Sequence, residues 1–188
     1  MTETSVRQLS THISNQNHAM AGATIGASAA LACSLGQVCV RLNIKHQEDT
    51  KEQVTMEEAA SRLDAIRQQL LRLADEDGAA IAAFAALRDA GRELSGQEML
   101  CQLPADITHF AIEAADILQQ ARPRIHQQQD DLEMAIRLLN GAARAAILLL
   151  DSNLRIWPEP ELLATFEPVL AELLNEMQIL DPVERIRT

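Results

Sequence analysis

Three features of the sequence predict an all-α fold, a helical bundle of about six helices around two buried apolar helices. Aromatic residues make up only 2% of the 188 and tyrosine is absent, so the hydrophobic 47% must pack mainly as alanine, leucine and isoleucine. Those residues favour helices over a β-sandwich. Apolar positions recur at helical spacing, and no stretch alternates apolar with polar as a half-buried strand does. Two segments, near 24–44 and 131–154, are too apolar for surface helices and read as the spine of the bundle. The length fits one helical domain over 1–188.

The elements follow in order. Val6, Leu9 and Ile13 share one helical face, which predicts a short amphipathic helix over Ser5–Ser14, broken by Asn15-Gln16-Asn17-His18. An uncharged run from Ala19 to Val40 opens with the small-residue turn Ala21-Gly22-Ala23-Thr24, and Thr24 is a candidate N-cap for a helix reaching about Ile44. Lys45 to Thr50 is a polar connection. Thr55-Met56-Glu57-Glu58 has the form of a capping box. Beyond it, Leu63, Ile66, Leu70 and Leu73, then Ile81, Phe84 and Leu87, describe one long helix to about Asp89. That helix has a possible kink at Gly78, and Gly91 closes it.

Ser95-Gly96-Gln97-Glu98 is a second capping box for a short helix, after which Pro104 restarts the chain as the first residue of another. Pro123 stops that helix, and Gln127-Gln128-Gln129 reads as a solvated turn. Asp130 with Glu133 caps the second apolar helix, which runs from Asp131 to about Leu154. Trp157-Pro158-Glu159-Pro160 is a rigid turn, and Leu162 to Met177 form a last amphipathic helix kinked at Pro168. The tail after Asp181-Pro182 is expected to be loose.

The formal net charge of −11 argues against nucleic acid and anionic membrane surfaces as partners. Cys33, Cys39 and Cys101 are an odd set without metal-ligand spacing, so buried free thiols in a reducing cytoplasm are expected, and no metal. The first residues lack the basic-then-apolar order of a signal peptide. The Ala19–Val40 run approaches the length of a membrane span, but its Ala/Gly/Ser content and Gln37 favour a buried helix of a soluble bundle.

Against this background the chain resembles the cyclodeaminase/cyclohydrolase family, which includes the C-terminal domain of formiminotransferase-cyclodeaminase and methenyltetrahydrofolate cyclohydrolases. The resemblance spans nearly the whole chain. Met20-Ala21-Gly22-Ala23-Thr24 stands where the family writes Pro-Gly-Gly-Gly-Ser. Leu73-Ala74-Asp75-Glu76-Asp77-Gly78-Ala79-Ala80 is similar to its long-helix string. Asp130-Asp131-Leu132-Glu133-Met134-Ala135 is similar to its Ser-Asp-Leu-x-Val-Ala, and Asn153-Leu154 to its Asn-Leu pair. The chain departs from the family at two ligand-side positions. Gly22 alone remains of three glycines, and Leu149 stands where the family has Asn.

The resemblance implies an enzyme acting on a one-carbon tetrahydrofolate, by cyclising deamination of formimino-tetrahydrofolate or by hydrolysis of methenyl-tetrahydrofolate. It implies a tetrahydrofolate derivative as substrate, no tightly bound cofactor, and a cytoplasmic homodimer. Either reaction needs proton transfer, which suits a carboxylate raised in pKa on a dry helix wall. Asp77 matches the family's acidic position and shares the helical phase of Leu70, Leu73 and Ile81, whereas Asp75 points elsewhere. The bland alternative is a solvated acidic turn, Asp75-Glu76-Asp77.

Gly22, Ala23 and Thr24 offer helix N-terminal amides to a carboxylate or pterin edge, or form a tight loop between packed helices. Asn153 is placed to hydrogen-bond a pterin, or to cap its helix. Arg144, the lone charge of its apolar run, pairs with Asp77, binds a substrate glutamate or snorkels. The five histidines read as surface residues, with His18 nearest the turn. The eroded glycine turn and Leu149 support the other reading, a noncatalytic helical binding or scaffold protein that kept the fold.

Overall fold

The computed structural model describes residues 1–47 and 49–187; Glu48, in the polar connection, and Thr188, at the end of the tail, lie outside the described residues. It contains six α-helices and two short 3-10 turns, with no strand among the described residues. The helices are α1 (Val6–Ser14), α2 (Ala21–Ile44), α3 (Thr50–Asp89), α4 (Gln97–Ala121), α5 (Gln129–Ile156) and α6 (Pro160–Glu176). The 3-10 turns, Arg122–Arg124 and Met177–Ile179, follow α4 and α6.

Local chemistry sets most of the ends. Ser5 and Gln8 cap α1 reciprocally, each side chain accepting the other's backbone N–H, at 3.3 Å and 2.9 Å. The Asp49 carboxylate accepts the Lys51 N–H at 2.9 Å and starts α3. Helix α3 therefore begins five residues before the capping box read from the sequence, and Thr55 instead donates its hydroxyl to the Lys51 carbonyl at 3.0 Å. It ends where Gly91 takes φ of 62°, with Gly91 N–H bonded to Arg88 O and Arg92 N–H to Leu87 O. That pair of bonds closes the last carbonyls as a Schellman motif, and glycine supplies the positive φ without strain.

Helix α4 has no side-chain cap and runs unbroken through Pro104, so the expected short helix and restart are a single element. Pro168 likewise sits inside a continuous α6. Gln127, Gln128 and Gln129 are exposed as expected, but the Gln127 backbone is tied down: its N–H donates to the Asn43 side chain at 3.0 Å, and its carbonyl accepts from Asn43 at the same distance. Glu133 is not a cap. It is buried in a bidentate pair with Arg122 at 2.5 and 2.9 Å. The tail is docked, with Asp181 N–H on Gln119 at 2.5 Å and Arg137 on Glu184 at 2.5 Å.

Helices α2, α3, α4 and α5 form a ring in which each packs antiparallel to the next, α5 closes against α2, and α6 lies across α4 and α5. The small residues of α2 make the α2–α3 seam tight. A side chain at Gly26 would stand 3.2 Å from the Leu70 carbonyl oxygen and 3.1 Å from Ala74. The ring encloses Leu63, Ile66, Leu70 and Leu73 of α3, Ile107 and Leu118 of α4, and Leu132, Ile136 and Leu139 of α5. All three cysteines are buried and free, and burial pushes the Cys33 thiol up to about 12.

Helix α2 is long and apolar enough to cross a membrane, but more than half of its most apolar stretch is buried inside the bundle. Neither apolar helix is covered all round. Leu31, Val38 and Leu42 of α2 and Met134, Leu138 and Leu148 of α5 are exposed, Leu148 at 67%.

Candidate functional site

The N-terminus of α2 needs acceptors for its first amides, and the chain before it supplies none: the N-cap is Met20, with no side-chain bond. Thr24 is not the cap expected from sequence. Its hydroxyl donates back to the Met20 carbonyl at 2.8 Å, and its side chain is exposed within the first turn. The acceptor comes from α3, where Asp77 Oδ2 takes the buried Ala23 N–H at 2.7 Å. Sequence reasoning placed both partners but not their bond, which spans 54 residues.

Gly22 makes this approach possible. A Cβ there would fall inside contact distance of both Asp77 oxygens and of Cγ. The one glycine surviving in the turn is thus the one against which the carboxylate lies. Asp77 is 4% exposed, so it is no solvated acidic turn. Burial raises its carboxyl above the ordinary carboxylate range, and the Ala23 amide pulls partly back. Among the described residues Asp77 Oδ1 accepts no hydrogen bond, yet it is not one of the fully enclosed polar atoms. A buried carboxyl with one free oxygen, beside amides of Ala21 and Gly22 that have no partner among the described residues, can hold and move a proton next to a bound anion or amide.

Asp75 points elsewhere, as its helical phase requires. It accepts the Thr2 N–H at 2.8 Å and the Thr2 hydroxyl at 2.9 Å. Burial works against its charge, but these bonds and the chain's first ammonium hold its carboxyl below the usual range.

Asn153 lies at the same end of the bundle, on the last turns of α5. It does not cap α5, whose C-cap is Trp157. Its Nδ2 donates to the Leu100 carbonyl at 2.6 Å in a buried bond. Leu100 is four residues before Pro104, which has no N–H to return to it. Asn153 therefore repairs the hydrogen bond that Pro104 leaves open, which is why α4 continues where the sequence predicts a break. A proline within an apolar helical run, with its orphaned carbonyl four residues earlier, was the available signal. Asn153 Oδ1 makes no hydrogen bond among the described residues.

Arg144 does not reach Asp77. It sits on the outer face of α5, where Nε donates to Asn140 Oδ1 at 2.8 Å, and among the described residues no carboxylate lies within pairing distance. It borders a groove of about 780 Å³ between α5 and α6 with Ile147, Leu148, Asp151, Leu170 and Leu174; neither Asp77 nor residues 22–24 line it. His18 is partly buried, and its Nε2 has no partner among the described residues. No group of acidic, histidine or cysteine residues that could hold a metal is found among the described residues.

Of the residues predicted from sequence, then, Gly22, Ala23 and Asp77 meet directly, Thr24 borders them, Asn153 shares their end of the bundle, and Arg144 stands apart. A family model described as formiminotransferase-cyclodeaminase matches residues 5–170. No curated protein matches the chain.

Proposed function

The chain belongs to the formiminotransferase-cyclodeaminase family, and from this premise we propose that it is an enzyme acting on a one-carbon tetrahydrofolate. Asp77 is its general acid and base. The reaction is cyclising deamination of formimino-tetrahydrofolate or hydrolysis of methenyl-tetrahydrofolate. In the first, N10 attacks the formimino carbon and ammonia leaves; in the second, water adds to the methenyl carbon and one carbon–nitrogen bond opens. Both move a proton between nitrogen or water and a nearby group, a task for a carboxyl that burial raises above the ordinary carboxylate range.

The observation carrying this reading is the Asp77 carboxyl, buried against Gly22 with one oxygen on the Ala23 amide and the other free. Ala21 and Gly22 offer amides to the substrate, Thr24 its exposed hydroxyl edge, and Asn153 its Oδ1. No tightly bound cofactor takes part, and the protein works in the cytoplasm. Arg144 serves a substrate glutamate only from the α5 face, so it belongs to the site if that face meets a second copy of the chain.

The exposed apolar residues of α2 and α5 support such a homodimer. Leu31, Val38 and Leu42 lie on one helix and Met134, Leu138 and Leu148 on its neighbour, large apolar side chains that a second copy would cover. Light scattering should give a dimer for the wild type and a monomer for Leu138→Glu; a monomeric wild type contradicts the assignment.

A second reading has its own observation. The Asp77–Ala23 and Asn153–Leu100 bonds are both structural repairs, sufficient for a noncatalytic scaffold without any ligand. Loss of near-ultraviolet absorbance from 5,10-methenyltetrahydrofolate, and ammonia release from formimino-tetrahydrofolate, separate the two. An Asp77-dependent rate on either substrate supports the enzyme, and rates equal to buffer on both support the scaffold.

A further inference from the structure

We propose that residues 1–4 form a removable strap seated on Gly78 and pinned by Asp75, beside the Gly22–Asp77 corner. This rests on the reading of that corner as the ligand site. The pin is a single carboxylate. Asp75 Oδ1 accepts the Thr2 N–H at 2.8 Å and faces the Met1 ammonium at 3.1 Å, and Oδ2 accepts the Thr2 hydroxyl at 2.9 Å. Thr4 folds the segment back on itself, its hydroxyl and its N–H both reaching the Met1 carbonyl, at 2.9 and 3.3 Å.

The seat is Gly78, inside a helix where glycine is disfavoured relative to alanine. A Cβ there would stand 2.9 Å from Met20 Cε and 3.4 Å from Met1 Cε. Two methionine side chains thus converge on the bare backbone one residue from Asp77. Met1 is 11% exposed and Met20 is buried. Flexible thioethers fill such a gap well and leave it readily.

What holds the strap is weak. The Asp75 side chain is 37% exposed, so water competes for every one of its bonds. Helix α1, which continues the strap, buries no residue. A cavity of about 220 Å³ remains beneath it, lined by Val6 and Leu9 on one side and Ala27, Ala30, Leu71 and Arg67 on the other. Lifting the segment breaks contacts centred on one residue and uncovers Gly78, Met20 and the flank of α2 at Ala27 and Ala30, while the ring of α2 to α5 stays intact.

Oxidation of methionine by dilute hydrogen peroxide, read peptide by peptide by mass spectrometry, tests this in the full chain. Exposed Met134 and buried Met56 are internal references. Asp75→Asn should oxidise Met20 about fivefold faster, the change in open population expected on losing a partly exposed ion pair. A chain lacking residues 1–4 should do so faster still, with Met134 and Met56 unchanged in both. An unchanged Met20 rate in both overturns the proposal. If Met56 also accelerates, the variant has unfolded, and Thr2→Val, which removes only the hydroxyl bond, decides: a faster Met20 supports the strap and an unchanged one overturns it. The readout is thioether oxidation rather than turnover, so a chain inactive on both folates leaves the strap standing, and a failed strap leaves the folate assay open.

Discussion

Replacing Asn153 by alanine tests the repair of α4 at its weakest point. The Asn153 Nδ2 sits 2.6 Å from the Leu100 carbonyl, and that carbonyl is buried with no helical N–H to fall back on because position 104 is proline. Leaving a buried carbonyl unpaired costs ~1–3 kcal/mol. Asn153→Ala should therefore lower the free energy of unfolding in urea by about 2 kcal/mol, an upper-middle figure for a single buried bond. In a Pro104→Ala background the alanine N–H reaches Leu100 by the ordinary helical bond, and the same Asn153→Ala change should cost ~0.5 kcal/mol, leaving a coupling near 1.5 kcal/mol. Equal costs in the two backgrounds, additive within about 0.3 kcal/mol, would refute the pairing of Asn153 with the proline gap.

Two further predictions concern the Asp77 corner. Gly22→Ala drives a methyl into both carboxylate oxygens and should cost ~1–3 kcal/mol by chemical denaturation, with most of it recovered in Gly22→Ala/Asp77→Ala. A raised Asp77 pKa means the folded chain holds a proton that the unfolded chain has already released, so this group's contribution to stability falls as pH rises from about 3.9 through the folded-state value. Asp77→Asn should flatten that fall in thermal scans across pH. Identical pH slopes in the two proteins would place the carboxyl in water rather than in the core.

Much of this fold can be read directly from residues whose partners are local. Val6, Leu9 and Ile13 with the Ser5–Gln8 box define α1, and Gly91 marks the end of α3 because only a positive φ closes that helix there. Most of the readings that failed involve partners far along the chain. Thr24 is an adequate cap by type, but α2 begins at Ala21 because Asp77 satisfies its amide from another helix. One failure is local: Asp49, six residues before Thr55, captures the Lys51 amide and starts α3 at Thr50. Pro104 and Pro168 look like breaks in a one-dimensional pattern and are absorbed in three dimensions, the first by Asn153. Glu133 suits a cap by spacing, yet Arg122, brought back by the turn after α4, takes both its oxygens.

The site divides along the same line. The helical phase of Asp77 already set it on the apolar stripe, and the structure buries it there. From sequence Arg144 is open between pairing with Asp77, a substrate glutamate and snorkelling, and the structure removes the first: it is exposed on the outer face of α5, beside the exposed Leu148. Apolar composition alone does not distinguish a helix buried within its chain from one with a face left for a partner.

The central claim is that Asp77 moves the proton in a folate reaction. It is tested most directly by the rate at which the purified protein consumes 5,10-methenyltetrahydrofolate, or releases ammonia from formimino-tetrahydrofolate, beside Asp77→Asn at equal fold stability. The account predicts a rate above buffer on one of the two substrates and its loss by at least about a hundredfold in the variant, the usual share of a general acid or base. An Asp77→Asn protein as active as the wild type, or a wild type no faster than buffer on both substrates, would contradict it.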